Sequence, residues 1–395
     1  MEKKTRIMLI VPMLDQGGLE RVCALTAQLL KTTYDVHLVV FNTEGMIYDV
    51  SGVHLIDLQL GAVPGKLGKI TNLFKRAKKL SRLQKELQID VMYSFGQTAN
   101  MASALSGGRA RKIAACHSFG EIHNKQYMKL ILKKMDYVVC CAKAMAEEVR
   151  GKYQARDVQE IWNPCDISGI RELGQQEMPE RYIPFFSDED KVILSMGREH
   201  DVKGFWHLLK AFKRVQEEMQ DTKLVIVGEG SFEEYKRLAE SMDIGEKVLF
   251  TGMQKNPFSF MKASDLYVLS SISEGLPNAL VEALTIGLPI VSVNCKSGPA
   301  EILHDEWKEA ESATGVIQAD YGMLTPALTP QKNMEYEQKN GKIVLEAEEE
   351  ALAQAMLKML QNQELYQKYR EIAKERANDF SMEKYKEAIM RLIEA

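Results

Sequence analysis

No apolar run in this 395-residue chain approaches the roughly 20 residues that a bilayer-spanning helix requires, so contact with a membrane is expected only at its surface. Cysteine is scarce. Cys23, Cys116, Cys140, Cys141, Cys165 and Cys295 lie mostly inside apolar stretches and lack the paired spacing of a metal site, which reads as reduced core thiols in a cytosolic protein. The G-x-G-x-x-G fingerprint is missing, which argues against a dinucleotide-dependent oxidoreductase. Internal repeats and low-complexity tracts are also missing. The opening Met1 to Leu14 has too short an apolar part, and no small-residue cleavage site, for a secretory leader; it reads as a first strand. What remains is an ordinary globular composition, 45% apolar and 27% charged, long enough for two domains.

The formal net charge of −4 conceals an uneven distribution. Residues 1–186 carry 26 Lys and Arg against 19 Asp and Glu, a balance of +7, while the remainder carries 25 against 36, or −11. A basic front half favours an anionic partner. Nucleic acid is not expected, because no recognised binding motif accompanies the charge; an anionic membrane surface or a pyrophosphate-bearing acceptor fits better. The densest basic cluster falls on a helix expected over Leu67 to Leu87. There Leu67, Ile70, Leu73 with Phe74, Ala77, Leu80, Leu83 and Leu87 form a stripe expected to pack on a sheet, with eight cations from Lys66 to Lys85 on the other faces. Lys125, Lys129, Lys133 and Lys134 add a second basic helix.

Short apolar strands alternate with amphipathic helices, the pattern of a parallel α/β sheet. The most informative stretch runs from Ala263 to Asn294. Leu266 to Leu269 reads as a strand, Ser270 to Pro277 as a turn, Asn278 to Thr285 as a helix and Ile290 to Val293 as the next strand. Glu274 then lies just before a helix and Glu282 about one turn inside it, so both can face one ligand. The amides of Gly275, Leu276 and Asn278, beside Pro277, lie where unpaired N–H groups and the helix dipole attract phosphate. A site offering amides to a diphosphate and carboxylates to hydroxyls suits a nucleotide sugar.

Other loops at strand ends carry further candidates. Gly17-Gly18 follows the strand Ile7 to Val11 and lets the backbone approach a ligand closely. Lys112 to Cys116 delivers His117 at its C-terminal end. After the strand Lys191 to Met196 comes Gly197-Arg198, with Lys203-Gly204 beyond it, two cations placed to grip a diphosphate. Met253 follows the strand beginning at Val248. Asp188-x-Asp190 has the form of a metal-binding pair, but lies in an aperiodic stretch before a strand.

The run Glu274-Gly-Leu-Pro-Asn-Ala-Leu-Val-Glu282-Ala and the run from Gly197-Arg198 to Lys203-Gly204 resemble the E-G-x-P-x4-E-A and G-R-x4-K-G motifs of family 4 of the retaining GT-B glycosyltransferases. The resemblance covers nearly the whole chain. It implies an α/β fold with two Rossmann-like domains facing across a cleft: residues 1–170 with a returning helix at 380–395, a linker at 171–190, and a donor-binding domain at 191–379. It further implies that Glu274 holds donor sugar hydroxyls, Glu282 the ribose and Arg198 with Lys203 the departing diphosphate. By the same resemblance His117 contacts the sugar near the reacting carbon, Gly17 and Gly18 lie beside the donor phosphates, and Met253 holds the base. Two departures stand out: Ala142 where the family often has Ser, and an extended polar segment at 305–342.

The expected activity is transfer, with retention, of a hexose or N-acetylhexosamine from a nucleoside-diphosphate sugar, UDP-linked, to a hydroxyl of a lipid-linked cell-surface glycan. No metal or other cofactor is expected, since protein cations neutralise the diphosphate. The expected location is the cytoplasm, peripheral to the inner face of the membrane. A non-catalytic binding protein of the same fold, and a transferase acting on a soluble acceptor, are the alternatives.

Overall fold

The computed structural model describes residues 4–15, 17–186, 189–312 and 314–395. The chain forms two compact units, residues 1–164 with 382–395, and residues 165–381. All six cysteines are buried free thiols.

The first unit is built on seven parallel strands in the order β3-β2-β1-β4-β5-β6-β7. These are β1 (Arg6–Val11), β2 (Asp35–Val40), β3 (His54–Asp57), β4 (Val91–Phe95), β5 (Arg111–Cys116), β6 (Tyr137–Cys140) and β7 (Val158–Glu160). The central strands are largely apolar because helices cover both sheet faces; in β4 the buried Ser94 is accommodated by donating to Asn100 Oδ1 at 2.7 Å. The helices are α1 (Gly18–Leu30), α2 (Lys66–Glu86), α3 (Gln97–Leu105), α4 (Phe119–His123), α5 (Lys125–Lys134) and α6 (Lys143–Tyr153). Helix α1 and the chain's last helix, Met382–Glu394, share one core with Leu9, Tyr93 and Phe95, while α2 and α3 share another with Met8, Ile10 and Met92. The last helix is tied to the unit by Thr26 Oγ1 and Tyr385 OH at 2.7 Å, and by Tyr34 OH donating to Glu394 Oε1 at 2.9 Å.

Helix α2 bears out the later part of the expected stripe and corrects its start. Ala77 and Leu80 are buried and Leu73, Leu83 and Leu87 pack against the core, whereas Leu67, Ile70 and Phe74 are exposed and Asn72, Arg76 and Gln84 share the inward face. Polar side chains enter that face because the loop before the helix presents unpaired carbonyls. Arg76 donates to Leu60 O at 2.9 Å and Gly61 O at 2.8 Å, with its guanidinium 4.2 Å above the Phe41 ring, and Asn72 donates to Gly61 O at 2.7 Å. Arg76 is therefore not a solvated cation.

The second unit opens with α7 (Ile167–Gly174) and a 3₁₀ turn at Glu180–Phe185. The stretch expected as linker, 171–190, is thus largely folded within this unit. Asp166 caps α7 by accepting Gly169 N at 3.0 Å, and a Cβ on Gly174 would have to push aside the Ile286 Cδ1 methyl, 2.7 Å away. Asp188 lies outside the described residues, and Asp190 pairs with Lys223 at 2.6 Å.

The second sheet has the order β10-β9-β8-β11-β12-β14-β13. In chain order its elements are β8 (Lys191–Met196), α8 (Phe205–Glu218), β9 (Thr222–Val227), α9 (Glu233–Ser241), β10 (Val248–Gly252), α10 (Phe258–Lys262), β11 (Leu266–Leu269), α11 (Asn278–Ile286), β12 (Ile290–Val293), α12 (Pro299–Leu303), α13 (Trp307–Ser312), β13 (Ile317–Gln318) and β14 (Met323–Thr325). A separate hairpin, β15 (Glu337–Lys339) and β16 (Lys342–Val344), precedes α14 (Ala347–Gln361) and α15 (Gln363–Ala377); Met382–Glu394 is α16. The polar segment at 305–342, whose role no sequence pattern revealed, folds back on the core at its C-terminal end. Ile343 is buried in the main cluster, Met334 and Tyr336 pack on it, and Tyr336 OH donates to Ser241 O.

Candidate functional site

In the second sheet the strand order reverses at β8: β9 and β10 extend to one side, β11, β12 and β14 to the other. The C-terminal edge at such a point is where open α/β sheets receive ligands. Arg198 and Lys203 follow β8, and Glu274 follows β11, so the two motifs flank the reversal. Lys203 Nζ donates to Glu274 Oε1 at 2.7 Å, both side chains being largely buried. This charge-assisted bond holds a cation and a carboxylate side by side at the sheet edge. Arg198 is exposed and, among the described residues, enters no ion pair.

Glycines press these loops together. Gly204 has φ +61°, and a Cβ there would meet Ser270 O at 2.3 Å; Ser270 Oγ in turn donates to Lys203 O at 2.8 Å. A Cβ on Gly228 would fall 1.9 Å from Gly197 O. Gly298, at φ +80°, leaves no room for a side chain against Gly275 O and Pro277 Cδ, while Ser297 Oγ donates to Gly275 O at 2.8 Å. The turn Gly275-Leu276-Pro277 is therefore buried and braced from behind. Pro277 is the N-cap of α11 and offers no side-chain cap, so Asn278 begins a helix whose dipole points its positive end at this edge. Glu282 lies inside α11 and is only 4% exposed, not a solvated helix glutamate. Met253 is exposed at the end of β10, after Gly252 at φ +67°.

The first unit repeats the plan with different chemistry. Its strand order reverses between β1 and β4. Gly17 follows β1 as the N-cap of α1 in extended backbone, and a Cβ there would meet Glu20 Oε2 at 1.9 Å; Gly18 begins the helix. His117 follows β5. Its ring stacks against Phe95 at 6.1 Å between centroids and is bonded by Asn163, while Nε2 is buried without a hydrogen-bond partner. Burial pushes the imidazole down to about 4, so the ring is neutral at physiological pH.

Glu121 was not singled out from the sequence. Ser118-x-x-Glu121 has the form of a capping box, and Ser118 does accept the Glu121 amide, at 3.4 Å. The carboxylate reaches one residue further than in that box and accepts His117 N at 3.1 Å. Burial raises its pKa to about 7. Tyr267, on β11, carries no sequence signal either: its phenol is pushed upward by burial and then by the Glu282 and Glu274 carboxylates.

Among the described residues, one cluster has the composition of a metal site: ligand atoms of His207, Glu346 and Glu349 lie within 4.8 Å of one another. Thr329 O accepts from His207 Nε2 at 2.9 Å, and Nδ1 meets Glu349 Oε1 at 2.6 Å with Lys210 Nζ 3.8 Å from the same oxygen. The His207–Glu349 contact pins α8 to the start of α14, and a cation would have to displace it.

Residues 16–168 match the family described as Glycosyltransferase Family 4, and residues 179–321 match Glycosyl transferases group 1. An uncharacterized glycosyltransferase of Haemophilus influenzae is 30% identical over 73% of this chain and 80% of its own length. Another, from Methanocaldococcus jannaschii, is 36% identical over 56% of this chain and 54% of its own. The N-acetylgalactosamine-N,N'-diacetylbacillosaminyl-diphospho-undecaprenol 4-alpha-N-acetylgalactosaminyltransferase of Campylobacter jejuni is 26% identical over 74% of this chain and 82% of its own. In fold, the chain is similar to Anabaena Alr3699/HepE, crystallised with UDP-glucose, at a TM-score of 0.73 and 16% identity, covering 98% of this chain and 99% of that one. The paired Rossmann-like sheets, both sequence motifs and these matches together show that the chain belongs to the group 1 and family 4 glycosyltransferases of the GT-B fold.

Proposed function

We propose that the protein transfers a hexose or N-acetylhexosamine from a UDP-linked donor to a hydroxyl of a lipid-linked glycan, with retention at the anomeric carbon. The observation that carries this reading is the Lys203–Glu274 pair at the strand-order reversal, beside the N-terminus of α11. Glu274 orients donor sugar hydroxyls and positions Lys203; Glu282 binds the ribose; Met253 lies against the base. As the bond between C1 and the β-phosphate oxygen breaks, Lys203, Arg198 and the helix N-terminus stabilise the charge that develops on UDP. The acceptor oxygen bonds to C1 on the same face, and its proton passes to a β-phosphate oxygen. His117, held neutral, contacts the sugar near C1 without adding charge there. Protein cations supply the neutralisation, so the reaction runs without added metal. The similarity to a transferase named for a diphospho-undecaprenol acceptor supports a lipid-linked substrate. The cytoplasmic membrane face is the place where such an acceptor meets a nucleotide sugar.

The test is a thermal-shift screen of UDP-sugars, followed by transfer from the best donor to a lipid-diphosphate-linked glycan in EDTA, with the product linkage read by NMR. An α-linked product from an α-linked donor is expected. A β-linked product overturns retention, and no transfer from any UDP-sugar overturns the assignment.

A further inference from the structure

The loop that carries Arg198 and Lys203 is held differently on its two sides. Towards the sheet it is fastened to the loop after β11: Ile272 N donates to Val202 O at 2.8 Å, Ser270 Oγ donates to Lys203 O at 2.8 Å, and Gly204 packs against Ser270 O. Two carboxylates leave the same loop, Glu199 and Asp201. Glu199 Oε2 accepts Phe232 N at 2.9 Å, at the N-cap of α9, and so has a partner within the fold. Asp201 opens the 3₁₀ turn Asp201–Lys203, its own carbonyl accepting Gly204 N at 3.0 Å, and its carboxylate is exposed.

What meets that carboxylate comes from the polar segment at 305–342. Lys332 places Nζ 3.1 Å from Asp201 Oδ1 and 2.7 Å from Glu234 Oε2, in the first turn of α9, and lies 5.4 Å from the centroid of the Tyr235 ring. Among the described residues it is the one cation paired with Asp201. The hydrogen bond to Glu234 holds the ammonium above the ordinary lysine range. An isolated surface ion pair contributes little, because ordering two long side chains offsets the attraction. Here one ammonium serves two carboxylates, and the backbone around it is already anchored. Before it, Leu328 is buried and Thr329 O accepts from His207 Nε2 at 2.9 Å; after it, Met334 and Tyr336 pack on the main cluster.

Asp201 lies two residues before Lys203. A bare carboxylate there lowers the positive potential into which a diphosphate is received, and Lys332 cancels it. We propose that Lys332 is a positioning residue of the diphosphate site: by bridging Asp201 to Glu234 it ties the Lys203 loop to α9 and neutralises the Asp201 charge beside the ligand. It acts through Asp201 and touches no reacting atom. The inference rests on the reading of Lys203 as a ligand of the nucleoside diphosphate, and it gives the polar segment a part in that site.

Calorimetric titration of UDP into the full chain, in a double-mutant cycle of Lys332→Met and Asp201→Asn, tests it. Lys332→Met is expected to weaken UDP about 3–5-fold, but by less than about 1.5-fold once residue 201 is Asn, because the charge it uncovers is then gone. Lys332→Arg, whose guanidinium also spans two carboxylates, should restore affinity to within about twofold of wild type. Lys339→Met removes an exposed lysine from the β15–β16 hairpin and should stay within about twofold as well. Unchanged affinity in Lys332→Met overturns the proposal. So does equal weakening in both backgrounds, or an equal loss in Lys339→Met, either of which assigns the effect to overall charge. Peptide-level hydrogen exchange of the unliganded protein keeps the two readings apart. Residues 199–204 are expected to exchange faster in Lys332→Met than in the wild type, and unchanged exchange overturns the tether whether or not UDP binds. Absence of UDP binding to the wild type overturns the diphosphate reading itself, and the exchange comparison then decides the tether alone.

Discussion

The C-terminal edges of the two sheets share one scaffold and differ in almost everything else. Each sheet begins with three strands laid to one side and reverses its order before the fourth, so each offers a ligand-receiving edge beside its first strand. The second unit fills that edge with Arg198 and Lys203, a carboxylate tied to Lys203, and glycines that close the loops on each other. The first unit fills it with a histidine kept neutral and a glutamate whose pKa rises to about 7. Strand order fixes where a ligand binds, and the loops decide what charge it has. One edge presents cations beside a carboxylate, the other an uncharged imidazole beside a carboxyl of raised pKa.

The largest effect expected on breaking this contrast is structural. Gly204→Ala places a Cβ against Ser270 O at a positive φ, whereas Gly65→Ala meets a positive φ of 78° with nothing within 4 Å. Urea denaturation should show the first losing about 3 kcal/mol or more and the second about 1 kcal/mol. Equal losses would mean that the second edge is no more tightly clamped than an open loop.

Next comes turnover. Lys203→Ala should lower kcat/KM by about 10²-fold, the scale of one lost contact to developing charge. Lys191→Ala, a cation paired with Asp265 at the opposite, N-terminal end of β8, should change it less than about twofold; similar losses in the two variants would leave Lys203 with no special part.

A smaller effect concerns the first edge. With its pKa raised when folded, Glu121 binds a proton more tightly in the native than in the unfolded state. Its contribution is intact below the unfolded value near 4.5 and is lost as pH rises toward about 7. Relative to wild type, Glu121→Gln should therefore gain about 2 °C or more in Tm at pH 8 compared with pH 5. A constant difference across that range would show that the carboxylate is not held in a costly site. Least of all, Met253→Ala should raise the donor KM only a few-fold, about 2–5-fold, as the loss of one exposed apolar contact.

The second edge was legible in the sequence because its parts are local. Glu274 and Glu282 lie on one turn and helix, Arg198 and Lys203 on one loop, and buried strands announce themselves as largely apolar runs. Helix α2 was legible as a helix, with Ala77 and Leu80 inward, but its first turns were not. Hydrophobicity placed Leu67, Ile70 and Phe74 inward, and the inward face went instead to Asn72 and Arg76, whose partners are carbonyls of a loop that no periodicity reveals. Glu121 was hidden by its own capping pattern, since S-x-x-E explains it without a site. The linker misled for a similar reason: 167–190 has weak periodicity, yet Asp166 caps α7, and the aromatic cluster of Tyr182, Phe186 and Phe260 holds the 3₁₀ turn beyond it. Such aromatic contacts join residues 70 or more positions apart, beyond the reach of a local pattern.

The central claim is that protein cations at the second edge, and not a metal, receive the nucleoside diphosphate. Calorimetric titration of UDP into wild type and Lys203→Ala, each in EDTA, tests this most directly. The account predicts that wild-type binding persists in EDTA and that Lys203→Ala weakens it at least ~10-fold, as expected for loss of a charge-assisted contact. Binding that vanishes in EDTA and returns with Mg²⁺, or that is the same in both proteins, would contradict it.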